Sequence, residues 1–102
     1  MTIQQKWLKQ NDLFELADML KALAHTSRIS ILFLLCNNDT GRMTVKNIYE
    51  ELKMSQPVIS RHLGILKSSG LLQRFSEGPN TYYALNKTNK HARRIASCFS
   101  KM

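Results

Sequence analysis

Two helical segments separated by only a few residues are the strongest constraint that this sequence places on its fold. The first covers residues 45–53 at helical apolar spacing, with Thr44 as its N-cap. The second covers residues 56–68 and opens on Ser55-Gln56-Pro57, a capping serine followed by proline in the first turn. A helix, a tight turn and a second helix over residues 44–68 predict a helix-turn-helix.

The apolar periodicity changes from helical to extended directly after this motif. Gly70 ends the second helix, and residues 71–76 then predict a strand. Gly78-Pro79-Asn80 predicts a turn, and residues 81–85, rich in β-forming side chains, predict the returning strand. We therefore expect a β-hairpin over residues 71–85 to follow the helix-turn-helix.

Three further helices complete the predicted architecture. Apolar spacing predicts helices over residues 11–24 and 88–101, and the apolar segment 27–36 predicts a central buried helix. Residues 37–41 form a polar cluster typical of turns. A chain of 102 residues has room for one core. We expect residues 1–102 to form a single, mainly α domain with a small β-hairpin wing, which is the winged helix-turn-helix arrangement.

The excess positive charge of the chain is confined to its second half. The whole sequence has 15 Lys and Arg against 7 Asp and Glu, a net charge of +8. Residues 1–51 carry six bases and six acids, whereas residues 52–102 carry nine bases and one acid, Glu77. A small domain with one strongly basic half is typical of proteins that bind nucleic acid.

The helix predicted over residues 56–68 has two chemically different faces. At 100° per residue, its small and polar side chains fall within about 140° of the circumference, and its apolar side chains occupy the opposite arc. Such a helix suits the major groove of DNA, because its first turns approach the base edges and short side chains permit close contact. We predict that Gln56, Ser60 and Arg61 contact bases, and that Ser55 and Lys67 contact phosphates.

The remaining basic side chains of this half receive different predictions. His62 lies midway round the apolar arc, so we expect a packed, hydrogen-bonded core histidine. Arg74 lies on the first strand of the wing, and we predict that it contacts the DNA backbone or the minor groove. Arg93 and Arg94 on the last helix fit a solvated face, a dimer rim or a DNA contact equally well.

Composition argues against several other classes of protein. No apolar run approaches the ~18–20 residues of a membrane span, and the N-terminus lacks the order of a signal peptide. Two cysteines, Cys36 and Cys98, do not make a disulfide framework, and there is no C-x-x-C of a zinc knuckle. We therefore expect a cytoplasmic protein without a cofactor. No nucleophile lies in a recognisable catalytic motif, so we do not expect an enzyme.

Three segments of the chain together carry a family resemblance. They are residues 20–32 (LKALAHTSRISIL), residues 55–66 (SQPVISRHLGIL), and residues 70–72 with 82–85. They resemble, in this order, the opening signature, the recognition helix and the wing of the ArsR/SmtB family of bacterial winged-helix repressors. The similarity covers about residues 13–86, although His25-Thr26-Ser27 stands where the family usually has Asp-Pro-Thr.

The resemblance implies a homodimer that binds a palindromic double-stranded DNA operator and represses transcription until an inducer lowers its DNA affinity. The dimer would use the first and last helices, which here lie within residues 1–24 and 88–102. Those segments contain more apolar surface than a lone domain of this size comfortably hides. The side chains concerned are Trp7, Leu8, Phe14, Ile95 and Phe99.

Two metal sites that are common among members of the family are missing from this sequence. One uses paired cysteines near the start of the first helix of the motif, and residues 43–49 contain no cysteine. The other uses an Asp/His and a His/Glu pair on the last helix, where this chain has only His91 and no acid after Glu77. One histidine cannot supply the about four ligands of a zinc ion. We therefore predict no metal site, and the inducer stays unknown.

Cys36 and Cys98 leave a redox alternative open. Some members of the family sense oxidants or reactive sulfur through one cysteine on the second helix and one on the last, and both cysteines lie in those elements. They stand about a turn from the expected positions, and one core and one surface cysteine without a sensing role is the other interpretation. A winged helix that binds protein or RNA without operator specificity is a further alternative function.

Overall fold

The computed structural model describes residues 10–100, which form five helices and a three-stranded antiparallel sheet. This confirms the predicted mainly α fold with a β-hairpin. The predictions for residues 1–9 and 101–102, including those for Trp7 and Leu8, lie outside the described residues. In chain order the elements are α1 Gln10–Leu23, α2 Thr26–Cys36, β1 Arg42–Thr44, α3 Val45–Leu52, α4 Gln56–Ser68, β2 Leu72–Glu77, β3 Asn80–Leu85 and α5 Lys90–Ser97.

The helix-turn-helix forms where the sequence predicts it. Thr44 caps α3, since its side-chain oxygen accepts a hydrogen bond from the backbone N–H of Asn47 at 3.1 Å. Lys53 ends α3 in the left-handed conformation with φ of 55°, and α4 starts three residues later with Ser55 as its N-cap. Gly70 then takes φ of +92°, a conformation that glycine adopts without steric cost, and the chain turns into β2.

The sheet has one strand more than the sequence predicts. β1 pairs with β3, which also pairs with β2, so the strand order is β1-β3-β2. Arg42 lies opposite Ala84 and Thr44 lies opposite Tyr82. A strand of three residues is too short to show an alternating pattern in the sequence, and it exists because β3 offers an edge to pair with. The wing is therefore anchored to the body of the domain by a strand that precedes the helix-turn-helix.

One apolar core joins all five helices to the sheet. Its fully or nearly fully buried members include Met19, Leu23, Ile31, Leu32, Leu35, Ile48, Ile59, Leu63, Leu66, Leu72, Tyr83, Ala92 and Ile95. The burial of Ile95, which is 8% exposed, corrects the expectation that this side chain adds to an uncovered apolar surface. Phe99 packs partly against the same core, whereas Phe14 is 62% exposed as the dimer prediction requires.

The helix predicted to be the central buried one, α2, has one exposed face. Ile29 and Phe33 are 39% and 36% exposed because they lie one helical turn apart on the side that faces away from the core. Within residues 10–100 no single helix is long and apolar enough to cross a membrane. Residues 11–23 and α2 reach that length only as a pair, across a bend of 102°.

The last helix is shorter than the predicted range 88–101. α5 begins at Lys90 because Asn89 caps it: the side-chain oxygen of Asn89 accepts from the backbone N–H groups of His91 and Ala92 at 2.9 and 3.1 Å. The helix ends at Ser97, and residues 98–100 continue as turns. Its buried face consists of His91, Ala92, Ile95 and Ala96.

Candidate nucleic-acid interface

The two-faced character predicted for α4 is present in the structure. Ile59, His62, Leu63 and Leu66 are buried in the core. The polar side chains Gln56, Ser60, Arg61 and Lys67 are exposed, and we call these four residues the open face of α4. Ile65 corrects the predicted apolar arc: it lies at the edge of that arc and is 37% exposed.

The N-terminus of α4 has no side-chain cap within residues 10–100. Ser55 has the extended backbone of an N-cap, but its side chain makes no capping hydrogen bond, and it is exposed. The first N–H groups of any α-helix lack intrahelical partners and carry the positive end of the helix dipole. Hydroxyl and backbone N–H groups at this position suit a phosphate oxygen.

His62 lies on the inner face of α4 and is only 7% exposed, as the sequence predicts. The predicted hydrogen bonding is wrong for one ring nitrogen, because Nδ1 is buried without a hydrogen-bond partner among the described residues. The ring lies 4.8 Å, centroid to centroid, from that of His25. Burial, together with the charges of His25, Arg28 and Arg61, lowers the pKa of His62. The lowered pKa favours the neutral form of this buried ring.

Arg74 is exposed on the side of the wing that faces the helices. Successive side chains of a strand alternate between faces, so Arg74 shares a face with Leu72, which is 2% exposed and packs in the core. β2 also packs against α4. Arg74 is therefore an exposed cation on a strand that neighbours α4, and residues 78–80 at the tip of the wing are exposed as well.

Glu77, the single acid of the basic half, forms an ion pair with Arg42 that the sequence pattern does not predict. Glu77 accepts two hydrogen bonds from the guanidinium of Arg42, at 2.6 and 3.2 Å, and that guanidinium also lies 4.4 Å from the ring centroid of Tyr82. The pair lowers the pKa of Glu77 and raises that of Arg42. Arg42 reaches Glu77 because β1 and β2 flank the same strand. Glu77 is thus paired rather than free to repel phosphate.

The two cysteines are free thiols at neighbouring places in the fold. Cys36 ends α2 and is half-buried, and burial raises the pKa of its thiol. Cys98 is exposed just beyond α5. The side-chain amide of Asn37 donates to the backbone oxygen of Phe99 at 3.1 Å, so a hydrogen bond links the residues that adjoin the two cysteines.

His91 is not the isolated histidine that the sequence suggests. Asp12 and Glu15 of α1 lie beside it, and one ligand atom from each of the three residues lies within 4.8 Å of the others. The prediction of no metal site rested on the lack of acids after Glu77. Asp12 and Glu15 precede His91 by 79 and 76 residues and therefore lay outside the segment on which it rested.

Comparison with known proteins identifies the family. Residues 25–74 match the sequence profile described as bacterial regulatory protein, arsR family. An uncharacterised HTH-type transcriptional regulator of Methanocaldococcus jannaschii is 44% identical over 71 residues, which are 69% of this chain and 78% of that protein. The chain belongs to the arsR family.

Other transcriptional regulators resemble this arsR-family chain in sequence and in fold. The transcriptional repressor SdpR of Bacillus subtilis is 38% identical over 71 residues, 70% of this chain and 76% of SdpR. The transcriptional repressor PagR of Bacillus anthracis superposes with a TM-score of 0.77 at 28% identity, over 88% of this chain and 98% of PagR.

A homodimeric winged helix-turn-helix DNA-binding domain of Mycobacterium bovis superposes with a TM-score of 0.73 at 31% identity, over 96% and 85% of the two chains. These relatives are regulators of transcription and not enzymes. The arsR-family chain is thus a DNA-binding transcriptional regulator with a winged helix-turn-helix, as the sequence predicts.

Proposed function

We propose that this chain is a homodimeric repressor that binds a palindromic DNA operator through α4 and the wing and leaves it when an inducer acts. The open face of α4 is the observation that carries the proposal. Four polar side chains, two of them basic, are exposed on a helix whose opposite side is embedded in the core. A protein that reads the major groove needs a rigid helix whose outward side chains are short or can form two hydrogen bonds with one base.

Each residue of the interface has a proposed role that follows from its chemistry. Gln56 and Arg61 can each form paired hydrogen bonds with one base, the amide with adenine and the guanidinium with guanine. Ser60, one turn after Gln56, is short enough to let the helix approach the base edges. Ser55, Lys67 and Arg74 flank these three residues and contact phosphates, which fixes the register without reading sequence.

The proposed dimer uses an apolar strip of α1 that its own core leaves uncovered. Phe14 and Leu20 are 62% and 49% exposed, and Ala17, which lies between them around the helix, is exposed as well. A twofold dimer presents two copies of α4, so its operator repeats each half-site in inverted order. The domain from Mycobacterium bovis is described as homodimeric, which supports this proposal.

The operator is tested by selecting binding sequences from a random DNA library with the wild-type protein. We expect an inverted repeat. Arg61→Ala should lose about tenfold to a hundredfold of discrimination at one base position of each half-site, and Gln56→Ala should act similarly at another position. Lys87→Ala, which removes an exposed cation from the loop between β3 and α5, is the matched control and should leave the preference unchanged.

Two results would contradict this proposal. A library without enriched sequences would favour a winged helix that binds protein or RNA without operator specificity. Equal weakening of all DNA sequences by Gln56→Ala and Arg61→Ala would show that these side chains contact the backbone rather than bases.

A thiol-based inducer is the second proposal, and the hydrogen bond between Asn37 and Phe99 favours it because it joins the segments that carry Cys36 and Cys98. Exposed Cys98 would react first with an oxidant or a polysulfide, since the raised pKa of Cys36 keeps its thiol protonated. Oxidant treatment should lower operator affinity in the wild type but not in Cys98→Ser. Equal responses of the two proteins would remove the proposal.

A further inference from the structure

The junction between α1 and α5 brings together three side chains that are far apart in the sequence. Asp12 and Glu15 lie three residues apart on α1, and therefore on one face of that helix. His91 lies in the first turn of α5 and is 2% exposed. Its Nε2 is 3.2 Å from Oδ1 of Asp12, and one ligand atom from each residue lies within 4.8 Å of the other two.

We propose that Asp12, Glu15 and His91 bind a divalent transition-metal ion of the zinc class. One imidazole nitrogen and two carboxylate oxygens are ligands that such ions accept. Three protein ligands leave at least one coordination position to water, as in zinc sites that are not purely structural. The site is half-open, since His91 is buried and the Asp12 side chain is 15% exposed, whereas Glu15 is exposed.

Asn89 holds two of the three ligands in place. Its side-chain oxygen accepts from the backbone N–H of His91 at 2.9 Å, which fixes the first turn of α5. Its side-chain amide donates to Oε1 of Glu15 at 2.6 Å. Partners of this kind orient ligands in metal sites, and a carboxylate that accepts one hydrogen bond keeps lone pairs for an ion.

Lys90 shows that the junction already attracts a cation. Its ammonium lies 3.1 Å from Oδ1 of Asp12, and its side chain is 51% exposed. An exposed ion pair of this kind is worth little, so the ammonium can leave Asp12 at small cost when a metal ion binds. Lys90 is thus a competitor for the site. That competition distinguishes a metal site from a set of contacts that only ties α1 to α5.

The test uses the full chain with Cys36→Ser and Cys98→Ser, which removes the two thiols as alternative ligands. Metal-free protein is titrated with Co²⁺, followed by its visible absorption, and with Zn²⁺ against a chelator. We expect one ion per chain. Glu15→Gln and Asp12→Asn should each weaken binding by tenfold or more. Lys90→Gln should tighten it severalfold, because the competing charge is gone.

The control is Glu50→Gln, which removes an exposed carboxylate from α3 and should bind Co²⁺ like the parent protein. Glu15 is itself exposed, so Glu15→Gln keeps the fold, and circular dichroism checks this directly. The site does not exist if the parent protein fails to bind Co²⁺ and Zn²⁺ in competition with the chelator. It is also overturned if Glu15→Gln binds as tightly as Glu50→Gln, or if Lys90→Gln leaves the affinity unchanged.

Discussion

The proposed DNA-contacting residues and the α1–α5 junction both carry charged side chains, but they use them in opposite ways. Arg61, Lys67 and Arg74 are exposed, and none of them forms an ion pair within residues 10–100. At the junction, Asp12 is paired with both Lys90 and His91. Cations without an acidic partner can bind a polyanion, whereas paired charges hold two elements together. A binding surface is therefore distinguished from a structural contact by whether its charges are paired, and not by how many there are.

The dependence of DNA binding on salt is the largest effect that this comparison predicts. Each protein cation that replaces counterions on phosphates makes the affinity fall as salt rises. A dimer with about 6–10 phosphate contacts should lose about 10³-fold or more in operator affinity between about 50 and about 200 mM salt. Fluorescence anisotropy with labelled operator measures this. An affinity independent of salt would show that the exposed cations do not contact phosphates.

Asp12→Ala tests the other side of the comparison. We expect the free energy of unfolding to fall by about 1–3 kcal/mol, because His91 is buried and loses its charged partner. Urea denaturation of metal-free protein measures the effect. Asp18→Ala, an exposed acid on the same helix, should change stability by less than about 0.5 kcal/mol. Equal losses in the two variants would mean that the junction contributes nothing specific.

His62 is a buried group on α4, and it predicts a pH effect on stability. Its folded pKa is lowered by burial and by the charges of His25, Arg28 and Arg61, so the unfolded chain takes up the proton more readily. The stability due to the neutral ring is complete above about pH 6.5 and is lost as the pH falls below it. The free energy of unfolding should decrease less between pH 7.5 and pH 5 in His62→Leu than in the wild type. Parallel pH profiles would contradict this.

The Arg42–Glu77 pair predicts the smallest effects, with opposite signs for its two members. Glu77→Gln frees the guanidinium of Arg42 and should raise operator affinity about twofold to threefold at low salt. Arg42→Met leaves a carboxylate without its partner at the end of β2 and should lower the affinity by a similar factor. Asp18→Asn on α1 is the control for loss of an acid elsewhere. Changes of the same sign in both variants would mean that the pair acts by shaping the wing rather than by its charge.

Much of the proposed DNA interface could be predicted from sequence because its signals are local. Apolar spacing, the Ser55-Gln56-Pro57 start and Gly70 delimit α4, and every residue of its open face is exposed as predicted. The same reasoning failed where neighbours far along the chain decide. Spacing alone did not show that residues 42–44 pair with β3 as a strand, or that Ile29 and Phe33 leave one face of the predicted central helix α2 exposed.

The sequence by itself determined the fold class, the two faces of α4 and the placement of positive charge in the second half. These properties depend on periodicity and composition, which are local features of the sequence. Only the tertiary structure decided which charges are paired. It brought Arg42 to Glu77 across the sheet, and Asp12 and Glu15 to His91 across the α1–α5 junction. These contacts depend on how the elements pack. Packing is set by the whole core rather than by the residues that neighbour each charged side chain in the sequence.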